Sequence, residues 1–519
     1  MSTTDTKEII TIQVGPEAGW MATGFWNAQG DPGKDVNQHP GFLFRECPSS
    51  SGQRGVTHAP RTLILDQARN LGSLDDLVRA SPQEEADAWE RGQRAKEEQW
   101  TAPAWGQEGR KQVIHRHPPP SSSNSTSLRE RIRKGQEGAG LGDLWQGGKG
   151  GGLAHWPDLL MTPISSGSLS TIPPSAPMNH ASEGETWMRE DQQVEAILEG
   201  KLRLLMEEAD TPQGFQILSS TGSGWGGVTS VLLDHLTEEY PRLGRLLLPL
   251  LPGPHTSLVD PVLAPCYSLT FLAHALSTET LIVPMEFGGS SSATTTSPDT
   301  PIRLYEQGST LGMALDLLSR IYREKGGRVS DLYDYFSRQQ TQPILQTHFS
   351  MDWTNSMDPN AFLTPQSLLP ISDLEIHKGS MVSHAKMSIL ATDTPCSDIS
   401  SWLERALGDR EPFPSPQYHH HRVHLPHPYH LPPTFPLFPP HRSVHKVQKL
   451  GSALVEVSVG GMGMYHWAHE LVKPTKDLRA RLRYSAIPGE EEEGLKEAQE
   501  CMMNWSETCL GPDDKVDEE

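Results

Sequence analysis

Apolar and polar residues alternate over residues 8–14 (EIITIQV), the two-residue period of a strand. Gly15 to Gly19 read as a turn, and the spacing of Trp20, Met21, Phe25 and Trp26 predicts a helix after it. A second strand, RTLILD, runs from Arg61 to Asp66. Further on, Val194, Ile197, Leu198, Leu202, Leu205 and Met206 fall on one helical face. The stretch from Gln213 to Pro241, QGFQILSSTGSGWGGVTSVLLDHLTEEYP, then reads as a buried strand, a glycine-rich turn and an amphipathic helix in direct succession. A helix over Ser268 to Leu276, a strand over Thr280 to Met285 and a helix over Thr310 to Arg323 continue the alternation. Leu454 to Val459 predicts a late strand. Such alternation predicts an α/β fold, a parallel sheet with helices on both faces. Ile9 to Val14, Leu63 to Asp66 and Phe215 to Leu218 are expected as neighbouring central strands whose C-terminal ends share one crevice.

The rest of the chain dilutes this pattern. Only 35% of the 519 residues are hydrophobic, and 46 Gly and 43 Pro imply that much of the length is loop or disordered insertion. The expected organisation is a nucleotide-binding-type domain over 1–290 with an insertion at about 82–135, and a second α/β region over 303–410. A Pro/His-rich loop over 411–443 and a C-terminal strand/helix segment over 444–519 follow, with a solvated acidic tail after Gly489. Segments near 82–135, 286–302 and 411–443 are expected to be removable at little cost to the core.

A net charge of −21 repels nucleic-acid phosphates and anionic lipid heads, and no basic patch stands out to offset it. Direct nucleic-acid binding is therefore not expected. Cys47, Cys266, Cys396, Cys501 and Cys509 are scattered without C-x-x-C spacing, a reducing-compartment pattern. The N-terminus, MSTTDTKEIITIQV, fits neither a signal peptide nor an arginine-rich presequence. No apolar run approaches the roughly 20 residues of a membrane span, so a protein kept on the cytosolic side is expected.

A strand, glycine turn and helix can hold a phosphate, because backbone amides and the positive helix end converge there. Trp225, in the middle of the turn, argues against it, since a phosphate cradle wants a small residue or a hydroxyl. Ser220 lies upstream of His235, but no G-x-S-x-G elbow supports a hydrolase. The histidines at 419, 420, 421, 424, 427, 430, 441 and 445 have no nearby cysteine or helical spacing, so no closed metal site is expected.

The block from Glu8 to Trp26, EIITIQVGPEAGWMATGFW, resembles the tubulin N-terminus. Gln213-Gly214-Phe215 before the glycine loop and Glu238-Glu239-Tyr240-Pro241 after the helix resemble tubulin's signature region, and Pro60-Arg61 with the strand ending at Asp66 is similar to a third tubulin segment. Phe25-Trp26-Asn27, Trp105-Gly106, Trp156 to Leu159, Gln213 to Gln216 and the proline-rich run His430 to Pro440 are similar to one branch, the misato family of tubulin-like proteins. The resemblance implies a tubulin-like, Rossmann-type fold and a role in partitioning mitochondria and inheriting mitochondrial DNA, with spindle or microtubule-related roles for some members. Protein partners at the mitochondrial outer surface or the cytoskeleton are implied, with localisation to the mitochondrial periphery and cytoplasm.

The same resemblance places degenerate phosphate-loop positions on Gly15, Gly19, Asp66, Gly222, Ser223, Gly224 and Gly226. Pro16 offers no N–H there. A Glu17 carboxylate about 5 Å from a phosphate charge costs roughly 3 kcal/mol at an effective dielectric near 20. The family's loop threonine and serine become Trp225 and Gly227, and its last glycine becomes Val228. No base-reading asparagine stands in Ile282 to Ser292, and no catalytic acidic loop is recognisable. A non-enzymatic protein with no required cofactor is therefore expected, with GTP disfavoured and Trp225 filling part of the crevice. The alternative is a GTP-binding, polymerising tubulin relative acting in cytoskeletal or spindle organisation.

Overall fold

The computed structural model describes residues 7–29, 41–48, 56–72, 155–253, 259–287, 301–323, 327–338, 343–351, 368–370, 385–392, 419–425, 429–430, 449–450, 452–460, 462–486 and 492–510. The insertion expected at 82–135 and the Trp105-Gly106 element lie outside the described residues. In chain order, β1 (Glu8–Val14) leads into α1 (Pro16–Ala28), and β2 (Phe44–Pro48) pairs antiparallel with β3 (Val56–Pro60) ahead of β4 (Thr62–Gln67) and β5 (Leu169–Ile172). Next come α2 (Ala181–Met188), a helical stretch over 191–207, β6 (Pro212–Ser220), α3 (Gly224–Glu239), β7 (Gly244–Pro252), α4 (Ala264–Leu276), β8 (Leu281–Ile282) and β9 (Met285–Phe287).

These strands form a parallel sheet in the order β5-β4-β1-β6-β7-β8, with β9 also on β7. Ile12 sits between Leu63 and Ile217 in register, so the three expected central strands are neighbours. Both faces are buried, as a parallel sheet requires. Ile10, Ile12, Val14, Phe215 and Ile217 join α3 and α4 in one core, while Ile9, Ile64 and Leu248 join α1 on the other. The order reverses around β1, which places a crevice at the carboxyl ends of β1, β4 and β6.

α5 (Pro301–Arg323) closes the second face against α1, and α6 (Val329–Ser337) follows it. Asp316 of α5 is 2% exposed and accepts from Arg323 and, at 2.8 Å, from Gln29 at the end of α1. A second, mostly antiparallel sheet packs on the same core through Phe349, Ile389, Val455 and Val457. It comprises β10 (Gln346–Met351), β11 (Leu368–Pro370), β12 (Ala385–Thr392), β13 (His419–Leu425) and, after the short pair β14 (Tyr429–His430) and β15 (Lys449–Leu450), β16 (Ser452–Val459). Its order is β11-β10-β16-β12-β13.

Several boundaries differ from expectation. The turn expected over Gly15 to Gly19 shrinks to Gly15, because Pro16 is pre-set for the first helical position and Glu17 favours the positive helix end. α5 begins at Pro301 rather than Thr310, and the strand expected over Thr280 to Met285 is broken around Val283 and Pro284, since proline cannot donate to a ladder. Within 411–443, expected as loop, the proline-free run His419 to Leu425 pairs parallel with β12. β16 lies between β10 and β12, so the segments expected apart at 303–410 and 444–519 share one sheet. The middle of the 191–207 helix, Val194–Leu202, is π-wound yet keeps Ile197, Leu198 and Leu202 buried.

The chain after 461 returns to the first sheet as α7 (Met462–Val472), α8 (Leu478–Ser485) and α9 (Glu492–Glu507). The tail expected to be solvated after Gly489 is thus helical over α9 and buries Leu495, Ala498, Met502 and Trp505 beside Tyr267 and Phe271 of α4. The spacing of those four residues makes one apolar stripe that the acidic composition hid.

Candidate functional site

The crevice is built by three strand ends. β1 delivers Gly15, whose φ of 90° is left-handed and suits glycine. A side chain there has no room in any case, because a Cβ on Gly15 would sit 2.6 Å from Ser220 Oγ and 2.8 Å from Trp225 Cγ. β4 delivers Asp66, and β6 delivers Ser219, Ser220 and the loop into α3. The Gly15 turn and the Gly222 turn therefore share one crevice, as the strand order predicts.

What fills the crevice is the chain itself. Trp225 is 5% exposed and lies over Gly15. Gly19, expected in the phosphate turn, is inside α1, and a Cβ on it would meet the Trp156 ring at 2.5 Å. Trp156, 1% exposed, donates its indole N–H to Asp66 Oδ2 at 3.0 Å. The other Asp66 oxygen accepts from Gln67 N and Asn70 Nδ2, each at 2.7 Å. Asp66 thus caps the turn after its strand and also holds a tryptophan.

The α3 N-terminus is covered as well. Gly224 donates its N–H to Met178 O at 3.1 Å, and a Cβ on Gly227 would lie 1.9 Å from Ala181 O. Gly226 N bonds back to Ser223 O at 3.1 Å, and Gly222 abuts Pro252. Ser223 caps the helix by position only, with no side-chain bond to it. The nearby hydroxyls are spent on each other and on backbone: Ser219 on Thr229 at 2.7 Å, and Thr221 on Leu250 O at 3.1 Å and Ser268 at 3.0 Å. Ser220 Oγ donates to Glu17 Oε2 at 2.5 Å. His235 instead meets the Tyr240 ring edge-on, centroids 6.3 Å apart, and Ser220 is bonded to Glu17, so the structure does not show Ser220 and His235 as a catalytic pair.

Electrostatics point the same way. Burial raises the Glu17 carboxyl above its usual range, with the Ser220 hydrogen bond opposing. Burial likewise raises Asp66 to about 7, against its three N–H donors, and the charge of Glu17 pushes it further up. Two buried carboxyls at the crevice disfavour additional negative charge. A triphosphate needs free amides, hydroxyls and a cation. The residues here offer rings, carboxyls and occupied amides, so they do not fit that group. Among the described residues, no group of three or more His, Cys, Asp or Glu is arranged to hold a metal ion.

The structure places Gly15, Asp66 and the loop carrying Gly222, Ser223, Gly224 and Gly226 at the ends of β1, β4 and β6, while Gly19 faces a tryptophan. Sequence reasoning missed Trp156 and the stretch Met178 to Ala181 as crevice components. The only signal for Trp156 was the short Trp-x-Asp-Leu element, which carries no periodicity, and Met178 to Ala181 carried none.

Residues 7–128 match the family model described as Misato Segment II tubulin-like domain, and residues 171–247 match one described as Tubulin domain. The chain is 26% identical over 309 residues to protein misato homolog 1 of Mus musculus, an alignment covering 54% of this chain and 51% of that protein. Protein misato of Drosophila melanogaster is 26% identical over 46% of this chain and 43% of its own length. Protein DML1 of Gibberella zeae is 24% identical over 46% and 44%. The chain spans about half the length of these curated relatives. The first family match spans β1 to β4 and the second the end of β5 to the start of β7, while Trp156 lies between them.

Proposed function

Because this chain is a tubulin-like protein of the misato family, we propose that it acts as a non-enzymatic scaffold in partitioning mitochondria and their DNA, at the cytosolic face of the mitochondrion and in the cytoplasm. The mitochondrial role rests on the family resemblance. The non-enzymatic part rests on one observation: Trp156 and Trp225 occupy the crevice and Met178 O takes the leading amide of α3. A crevice closed this way rigidifies a platform rather than cycling with a ligand, and the outer helices and second sheet are then the surfaces left for protein partners.

Saturation binding of GTP with Mg²⁺ to the purified chain tests the chemistry. Cells depleted of the chain test the role, scored for mitochondrial DNA content and distribution and rescued with wild type or Ser223→Ala. The Ser223 side chain caps nothing, so the variant should fold. Expected are no saturable GTP binding, loss of mitochondrial DNA on depletion, and equal rescue by both forms. Saturable binding that Ser223→Ala abolishes, together with failed rescue, replaces this reading with a GTP-binding tubulin relative.

A further inference from the structure

The chain's charge of −21 is not evenly spread. Residues 473–483, KPTKDLRARLR, carry Lys473, Lys476, Arg479, Arg481 and Arg483 against one acid, Asp477. The total conceals this patch, and the expectation that none offsets the charge is corrected here. The structure gathers it on one rigid mount. Gln499 of α9 donates to Thr475 Oγ1 at 3.0 Å, fixing the turn between α7 and α8. On α8, Ala480 and Tyr484 are each 2% exposed, and the Tyr484 ring packs 5.8 Å from Tyr267 of α4.

That packing decides which side faces out. Opposite Ala480 and Tyr484, the stripe Arg479, Leu482, Arg483 and Ala486 is exposed, with Leu482 at 63%. A single exposed leucine is ordinary on a protein surface. A leucine flanked by cations on a helix anchored by its other face is not, since it combines an apolar anchor with a charged rim. Some of the charge is committed: Lys473 pairs with Glu470 at 3.1 Å, Arg483 with Asp260, and Arg481 with Glu492. Glu492 also pairs with Lys496 at 3.3 Å, and Glu493 beside it completes the acidic first turn of α9. Lys476 and Arg479 are exposed and make no ion pair among the described residues. Asp477 between them caps α8 by accepting from Arg479 N at 2.8 Å.

We propose that the exposed face of α8 and the turn before it, centred on Leu482 with Lys476 and Arg479, is a docking surface for an anionic lipid bilayer. A protruding leucine on a convex helix has no groove in which to receive a peptide, but it suits the headgroup and acyl boundary, where cations sit beside phosphates. The strong negative charge elsewhere repels the same bilayer, so contact is confined to this face and the molecule is oriented by it. Among the described residues no helix is long and apolar enough to cross a membrane, and surface docking needs none. The inference goes beyond the crevice reading and does not depend on whether the crevice takes a nucleotide.

Co-sedimentation of the full chain with vesicles tests it, using phosphatidylcholine alone or with about 30% phosphatidylserine. Binding to the anionic vesicles only is expected, weakening as salt shortens the Debye length. K476E/R479E should lower the partition coefficient by about 25-fold or more, at about fivefold per cation, and Leu482→Ser should lower it severalfold. These side chains are exposed, so melting temperatures should stay at the wild-type value. Equal binding to both vesicles overturns the proposal. So does wild-type binding by either variant, or retention on an immobilised acidic peptide without any vesicle binding.

Discussion

Trp156 and Asp66 lie 90 positions apart in sequence and share a buried hydrogen bond of 3.0 Å at the floor of the crevice. The bond ties the segment before β5 to the end of β4 and lays an indole ring on α1, closing the space from one side. Trp156→Phe keeps the ring and removes the N–H, leaving one Asp66 oxygen without its donor. A loss of about 1–3 kcal/mol is expected from the orphaned acceptor, whereas Trp156→Ala should lose about 3–5 kcal/mol through the cavity. Chemical denaturation of both variants checks the order, and equal losses would show that the hydrogen bond, not the packed ring, carries the contribution.

Trp225 closes the other side over Gly15. Trp225→Ala should lower the unfolding temperature, with a loss of about 3–5 kcal/mol if the loop does not collapse. Adding GTP with Mg²⁺ to the wild type should leave that temperature unchanged, since only a ligand that binds the folded state raises it. A wild-type shift that saturates with GTP contradicts the prediction.

Asp66 should give stability a pH slope. Its folded pKa, about 7, lies above the ordinary 3.8, so the folded chain holds this proton more tightly than the unfolded chain. The contribution is complete below the ordinary value, shrinks as pH rises through about 7 and is lost above it. Glu17 is shifted the same way and acts in the same direction. Asp66→Asn, which stays neutral, should gain stability relative to wild type by a few kcal/mol as pH rises from about 5 to 8. Denaturant midpoints across that range provide the measurement, and a variant stability that falls relative to wild type with rising pH refutes the assignment.

Asp316 and Arg323 form a buried ion pair, with side chains 3% and 11% exposed. Asp316→Ala leaves the Arg323 guanidinium without its carboxylate and should destabilise by about 3–5 kcal/mol. Replacing both by apolar residues of similar size should cost less than the single change. A double-mutant cycle read by thermal unfolding distinguishes the pair from a merely tolerated contact.

The C-terminal helices should be integral to the first sheet. Removing residues 462–519 uncovers Tyr267 and Phe271 of α4, which pack in one core with Trp467, Met502 and Trp505. The truncated chain should bind a hydrophobic dye or aggregate, while the full chain does neither. A truncation that stays monomeric with an unchanged melting temperature would mean that α7 to α9 are an accessory.

The local code decided the central strands. EIITIQV, TLILDQ and PQGFQILSS are β-formers whose alternate residues feed opposite cores, and glycine at position 15 follows from the left-handed turn that ends β1. Pro16 and Glu17 likewise announce a helix start and a carboxyl where a phosphate would sit. Tertiary structure alone decided what occupies the crevice, because Trp156 reaches Asp66 across 90 residues and Met178 O meets Gly224 N across 46, and no periodicity encodes such a meeting. It also decided that His419 to Leu425 is a strand and that α9 is core, since both depend on a partner surface supplied from elsewhere in the chain: the free edge of β12 and the apolar face of α4. Strand pairing and burial are long-range free-energy terms, and a window of sequence holds only one side of each.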